Sequence, residues 1–296
     1  MSDFEDEGIR QYLSFFDKNQ CKFLLEEIMR SRDFSRIFYS EEEFMLQGKD
    51  LGTNPRPGRN LAGKLNTEFI FGDERFQKEL GGLMGGRYRI LDYKFVMGVP
   101  RTMLPEWIDK SLGDALVANL GEYVRKEFRD ITYFRGIDFH QDIIDFPDKE
   151  SNFVTVYIYL DKVNEKSSPL FVLPQSHLLG ATTFPHDLTK VGENAFLYKN
   201  GYGNSMRLET LRLTGEGGSM YIWHSNLLHG TQPHGEDMPR ISIRILAEKN
   251  TTEISDCPID RANKRVTGSL SLRKTRLDID NEGKVLIKGN YLNKSV

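Results

Sequence analysis

The chain is predicted to fold as a mainly β domain with helices gathered toward its N-terminal end. Three observations predict this. Apolar residues at helical spacing are confined to roughly the first 130 of the 296 residues. From about residue 131 onward, short apolar runs rich in β-branched and aromatic residues take over. The two kinds of segment do not alternate, which excludes a parallel doubly wound sheet and leaves an α+β or mainly β arrangement.

Taken in order, Asp17 to Met29 reads as the first helix. Asp17 is a suitable N-cap, and Cys21, Phe23, Leu24, Leu25 and Ile28 form an apolar stripe. Residues 47–63 hold Gly48, Gly52, Pro55, Pro57, Gly58 and Gly63, so this stretch is a long loop or lid, with Arg56 and Arg59 available to an anionic substrate. Phe76 to Met84 is a second helix that Gly85-Gly86 can end in a left-handed turn. Tyr88 to Val99 is β-like and stops at Pro100. Residues 105–127 return to helical spacing, with Trp107, Ile108, Leu112, Leu116, Leu120 and Val124 on one face. Strands follow at Phe153 to Leu160, Leu170 to Leu173, Met220 to Trp223 and Ile241 to Leu246, the last two joined by a turn-rich stretch from Thr231 to Pro239. Residues 251–296 are expected to supply edge strands and a mobile end. The organisation is a single domain over 1–296, with a helical part to about residue 130, a core over about 88–250 and a C-terminal extension.

Composition narrows the function. A net charge of −3 with 11% aromatic residues excludes a disordered chain and argues against a dedicated polyanion binder, so no nucleic-acid partner is expected. No uncharged apolar run approaches ~18 residues, so no membrane span is expected. The acidic start, Asp3-Phe4-Glu5-Asp6-Glu7, does not resemble a secretory signal. Cys21 and Cys257 are the only cysteines, which fits a reducing, cytoplasmic setting, and Cys21 belongs to an apolar stripe.

Chemistry concentrates in the second half. In Phe139-His140-Gln141-Asp142 an imidazole and a carboxylate stand two residues apart, on one face if this segment is a strand. Such a pair can close on a metal ion when a third ligand arrives from elsewhere, and His224 and His229 are the candidates. Two imidazoles and one carboxylate on one side of an ion leave the other side open, the arrangement of non-haem Fe(II) oxygenases. Arg240, Ser242 and Arg244 alternate with Ile241, Ile243 and Ile245, giving a polar stripe that a barrel would turn inward only around a polar ligand. An arginine fork suits a carboxylate. Elsewhere, Gly81-Gly82 and Gly85-Gly86 lack the Lys-Ser/Thr of a phosphate loop. His177 is expected to stabilise its turn, and His186-Asp187 to be a surface pair. The basic run from Arg261 to Arg276 reads as a solvated strand, the alternative being a grip on a phosphate-bearing substrate.

Phe139-His140-Gln141-Asp142, the run from Pro169 to His177, the run from Gly217 to Thr231 and Arg240, eleven residues after His229, together resemble the phytanoyl-CoA dioxygenase family of Fe(II)/2-oxoglutarate oxygenases. The resemblance covers about 88–247. It implies a double-stranded β-helix (jelly-roll, cupin-like) core with N-terminal helices. It also implies iron ligands at His140, Asp142 and His229, with His224 at a family position that is not a ligand. Arg240 falls where the family pairs the distal carboxylate of 2-oxoglutarate, Thr231 where a hydroxyl often joins it, and Tyr157 where a strand residue lines the co-substrate. Lys94 or Tyr93 is the further candidate there. Gln175 stands where the family usually has Gly, Ser168-Pro169 where it has Asn-Gly, and Gln232-Pro233-His234 where an Asn is common. The implied cofactors are Fe(II), 2-oxoglutarate and O2, and the implied reaction is oxidation of a small-molecule substrate with release of succinate and CO2. Related halogenases have Gly or Ala at the position of Asp142, so a carboxylate here favours hydroxylation. The alternatives are desaturation, cyclisation or rearrangement by the same cofactors, or a catalytically silent jelly-roll that binds a ligand.

Overall fold

The computed structural model describes residues 4–47, 55, 58–113, 115–232, 235, 238–250, 256–280 and 286–287. Its strands are β1 (Ile9–Tyr12), β2 (Tyr88–Gly98), β3 (Val117–Asn119), β4 (Thr132–His140), β5 (Phe153–Tyr159), β6 (Leu170–Val172), β7 (Asp187–Lys190), β8 (Ala195–Lys199), β9 (Ser205–Glu209), β10 (Leu211–Leu213), β11 (Met220–His224), β12 (His229–Thr231) and β13 (Arg240–Lys249). The α-helices are α1 (Phe4–Glu7), α2 (Lys18–Arg30), α3 (Glu41–Gln47), α4 (Glu68–Phe71), α5 (Glu74–Met84), α6 (Glu106–Leu112) and α7 (Pro258–Lys264). The main sheet runs β1-β11-β5-β13-β2-β4-β12-β6-β10, with β3 added to β4, and curls into the expected jelly-roll core. Only the β2–β4 pairing in it is parallel. A second sheet, β7-β8-β9, flanks it.

The capping chemistry appears where the residues predict it. Asp17 accepts a hydrogen bond from Gln20 N (2.9 Å) at the start of α2. Gly85, at φ +75°, ends α5 in the left-handed conformation. Cys21, Leu24 and Ile28 of α2 join Phe76, Leu80 and Leu83 of α5 in one buried cluster. The isoleucines of β13 and Val154, Val156 and Ile158 of β5 complete it. Each such side chain contributes ~1.5–3 kcal/mol on burial. The helices therefore cover the outer face of β5 and β13, and the alternate residues of those strands point to the interior. That is why β5 is buried along its whole length.

Three expectations fail locally. The helix expected over 105–127 stops at Leu112, where Gly113 (φ +49°) breaks it; Val117–Asn119 then pairs with β4. Leu116, Leu120 and Val124 are buried as the spacing demanded, but by separate elements. Among the described residues of the tail the expected edge strands are reduced to isolated bridges, Ser269 with Ala181 and Arg276 with Phe184, and α7 forms instead over Pro258–Lys264, followed by Arg265, which meets Asp6 at 2.5 Å; residues 251–255, 281–285 and 288–296 lie outside the described residues. Among the described residues of 47–63, Arg59 donates to Lys126 O (2.9 Å) in a groove with Lys64 and Lys126, away from the barrel mouth; Arg56 lies outside the described residues. At the position where the related family has Gly, Gln175 adopts φ +69°, keeping the left-handed backbone without the glycine.

Three buried histidines give the fold an acid limit. His177 meets Glu5 O (3.2 Å), so it anchors the N-terminal segment, not its own turn. His186 is buried, not a surface residue, with Nδ1 2.6 Å from Thr182 Oγ1. Burial lowers His177 and His186 to about 3 and His224 to about 4. Unfolded histidines take up protons near pH 6.5. Between these values the unfolded chain binds more protons, so stability falls as pH falls, by up to about 1.4 kcal/mol per pH unit for each histidine. Urea denaturation at pH 7 and pH 5 is expected to show that loss; equal stability at both would contradict it.

Candidate metal centre

β4 ends at His140, and Asp142 opens the following 3-10 turn, so the two do not share a strand face as the spacing suggested. Convergence comes from the ladder and the turn together. His229, the first residue of β12, sits directly opposite His140, with ring centroids 4.2 Å apart. One ligand atom from each of His140, Asp142 and His229 lies within 4.8 Å of the others.

The backbone fixes both rings. His140 Nδ1 is 3.0 Å from Asp138 O, and His229 Nδ1 is 2.9 Å from Leu227 O. A carbonyl only accepts, so each Nδ1 carries the proton and each Nε2 keeps its lone pair. Burial holds both imidazoles below the usual histidine range, which keeps them neutral. His229 Nε2 faces Asp142 Oδ2 at 3.4 Å. His224 is excluded as a ligand by the same reasoning. Its Nδ1 accepts from Asn226 N (3.1 Å) and its Nε2 donates to Asn263 Oδ1 (3.0 Å), so no lone pair remains.

Asp142 is buried, which opposes ionisation, but the Arg244 guanidinium and the Thr155 hydroxyl offset that cost and hold it below the usual carboxylate range. Its Oδ2 accepts from Thr155 Oγ1 (2.5 Å) and Trp223 Nε1 (3.0 Å), and its Oδ1 from Arg244 Nη2 (2.8 Å). A carboxylate offers about four acceptor positions, so about one is left beside the imidazoles. The donor set fits a divalent transition metal held from one side: two imidazole nitrogens in fixed tautomers and one ionised carboxylate. Arg244 is the residue that sequence reasoning placed on the inward stripe but gave no role. Its signal was the alternation with the isoleucines.

These side chains line a pocket of about 480 Å³, and Arg240, Thr231, Tyr157 and Lys94 line it too. β13 is central, between β5 and β2, so Arg240, Ser242 and Arg244 all point inward, as the alternation predicted. Arg240 is buried, donates from Nη1 to Ser168 O (2.6 Å) and lies 5.8 Å from the Tyr157 ring centre. Its Nε is buried with no hydrogen-bond partner among the described residues, a donor that a bound acceptor would satisfy. Ser168 (φ +53°) supplies the turn that aims its carbonyl at Arg240. Lys94 is brought down to about 8 by burial and by Arg244, while Asp92 lies 3.9 Å away. Tyr93 points to the other face of β2, where it packs on Phe71 (4.9 Å), so it is not a pocket residue. The Gln141 side chain donates to Gly180 O (2.9 Å) and Asn226 O (2.7 Å) and fastens the turn between His140 and Asp142.

Residues 131–242 match the model of the family described as phytanoyl-CoA dioxygenase (PhyH), a span that contains His140, Asp142, His229 and Arg240. A protein of Stutzerimonas stutzeri named probable alpha-ketoglutarate-dependent hypophosphite dioxygenase is 29% identical over 133 residues, 43% of this chain and 46% of that protein. The chain thus spans about half the length of the curated relative it matches. The solved epimerase SnoN of nogalamycin biosynthesis superposes with a TM-score of 0.53 at 14% identity, covering 84% of this chain and 79% of SnoN. EvdO2 from Micromonospora carbonacea var. aurantiaca, solved with 2-oxoglutarate, gives 0.51 at 12% identity, covering 86% and 91%. These two establish the shared jelly-roll fold.

Proposed function

We propose that this chain, a member of the phytanoyl-CoA dioxygenase family over residues 131–242, is an Fe(II)/2-oxoglutarate-dependent dioxygenase that hydroxylates a small molecule. The observation that carries this reading is the meeting of two proton-fixed imidazoles, one ionised carboxylate and a buried arginine in one pocket. Iron, 2-oxoglutarate and O2 would supply the oxidising power, with succinate and CO2 released. The protein's own residues do the holding and the aiming. His140, Asp142 and His229 would hold the metal. Arg240 would take the distal carboxylate of 2-oxoglutarate through its fork, with Thr231 beside it and Tyr157 and Lys94 along the wall. Val96, Phe134 and Ile137 keep part of the pocket apolar and limit water there. Asp142 occupies the place that a halide would need, which favours hydroxylation over halogenation.

The curated relative is named for action on hypophosphite, a small anion, and SnoN is named an epimerase. The product is therefore an open part of the reading, and a mass gain of one oxygen separates hydroxylation from desaturation, cyclisation or epimerisation. A silent ligand-binding jelly-roll would have no need of two histidines held in matching tautomers. A cytoplasmic location belongs to this proposal; it rests on two free, buried cysteines, and no helix among the described residues is long and apolar enough to cross a membrane. The test is succinate release from 2-oxoglutarate with Fe(II) and O2, screened against small molecules. Release by the wild type and none by His140→Ala is expected; equal release by both would overturn the ligand assignment.

A further inference from the structure

The C-terminal extension, outside the family match, comes back to the metal-centre pocket. Five backbone contacts fix its path. Thr267 N donates to Leu178 O (2.8 Å), Ala181 N to Ser269 O (2.7 Å), Ser151 N to Leu270 O (2.9 Å), Asp148 N to Leu272 O (3.0 Å) and Phe184 N to Thr275 O (2.8 Å). The strap so formed delivers Arg276 to the wall of the pocket that holds His140, Asp142 and His229.

The arginine arrives already oriented. Its Nε and Nη2 donate to the two oxygens of Asp278 (2.9 and 2.6 Å), and its guanidinium lies 5.6 Å from the Phe184 ring centre. Asp278 is itself buried, so the fork is held on one edge by a fixed carboxylate and on one face by an aromatic ring. Nη1, on the other edge, takes part in no hydrogen bond or ion pair with a described residue. A guanidinium has only donors, and with the side chain 26% exposed this edge is open, so a ligand's acceptor can take the place of water there. Asp145 lines the same pocket and attracts Arg276 over distance without closing an ion pair with it.

We propose that Arg276 is a specificity-determining residue that binds an oxyanionic group, carboxylate or phosphonate, of the primary substrate. This rests on the function proposed above, with Arg240 and the metal engaged by 2-oxoglutarate and Arg276 left for the substrate. The long path of the strap explains why a residue so far along the chain takes part.

The experiment is calorimetric titration of the full chain, loaded with Mn(II) in place of Fe(II) and saturated with 2-oxoglutarate, with three probes: phenylacetate, phenylphosphonate and phenylacetamide. Saturable uptake of 2-oxoglutarate tests the proposed function by itself, before any probe is added. The wild type is expected to bind at least one of the two anions ~10–100-fold more tightly than the amide, the range of a charge-assisted hydrogen bond. Arg276→Gln should reduce that preference to within about threefold, and Arg276→Lys should restore part of it. Because the readout is a ratio within one protein, a general loss of folded material does not move it. No anion binding by the wild type, equal binding of anion and amide, or an undiminished preference in Arg276→Gln would each overturn the assignment. If 2-oxoglutarate is not taken up at all, it is the proposed function that fails.

Discussion

His229→Ala is expected to lose succinate formation altogether and to bind Fe(II) more than ~100-fold more weakly than the wild type, whereas His224→Ala keeps its metal affinity. The contrast is the sharpest test of the centre, because the two histidines are five residues apart and both buried. Removing His229 takes away one of three ligand atoms and leaves an imidazole and a carboxylate. Loss of a mere outer partner of a metal ligand already costs ~10–100-fold in affinity. His224 instead spends both ring nitrogens on Asn226 and Asn263. Its removal leaves a buried backbone N–H without its acceptor and Asn263 without its donor, which costs ~1–3 kcal/mol of stability for each buried group left unsatisfied. Metal titration with Co(II) and thermal melting measure the two effects separately. A His224→Ala protein that lost metal and a His229→Ala protein that kept it would reverse the assignment.

Arg244→Met is expected to destabilise the metal-free protein by ~3–5 kcal/mol, the usual cost of removing one partner of a buried ion pair. Arg244, its side chain 14% exposed, lies against Asp142 Oδ1 at 2.8 Å, and beyond it the carboxylate accepts from the neutral donors Thr155 and Trp223. Without the guanidinium, burial would drive Asp142 upward toward its neutral form. A divalent cation at the centre supplies positive charge to the same carboxylate. The penalty should therefore shrink when the variant is saturated with Mn(II). Denaturant unfolding with and without the metal reads this directly. An equal loss in both states would mean that Arg244 supports the strand and not the carboxylate.

The N-cap at Asp17, the left-handed stop at Gly85 and the buried strand at Phe153–Tyr159 were legible because each rests on a local rule. The segment 105–127 was misread for a physical reason: helical spacing of apolar residues reports which positions are buried, not the backbone that buries them. Leu116, Leu120 and Val124 are all inside, but a 3-10 turn and a short strand place them there. The Ile9–Tyr12 strand was invisible because an edge strand of four residues is made by its partner, here β11, and not by its own pattern.

By itself, the order of residues put on offer His140 and Asp142 as a pair, His224 or His229 as a third partner, with the family resemblance favouring His229, and an arginine eleven residues after His229 on an alternating polar stripe. Residue type and alternation along a strand are properties of the chain, so they could be read without coordinates. Tertiary structure alone decided which ring nitrogens carry protons, that Arg244 grips Asp142 and that Arg276 reaches the pocket from the tail. Each of those is set by a contact between groups brought together across the fold, whose distances no local pattern encodes.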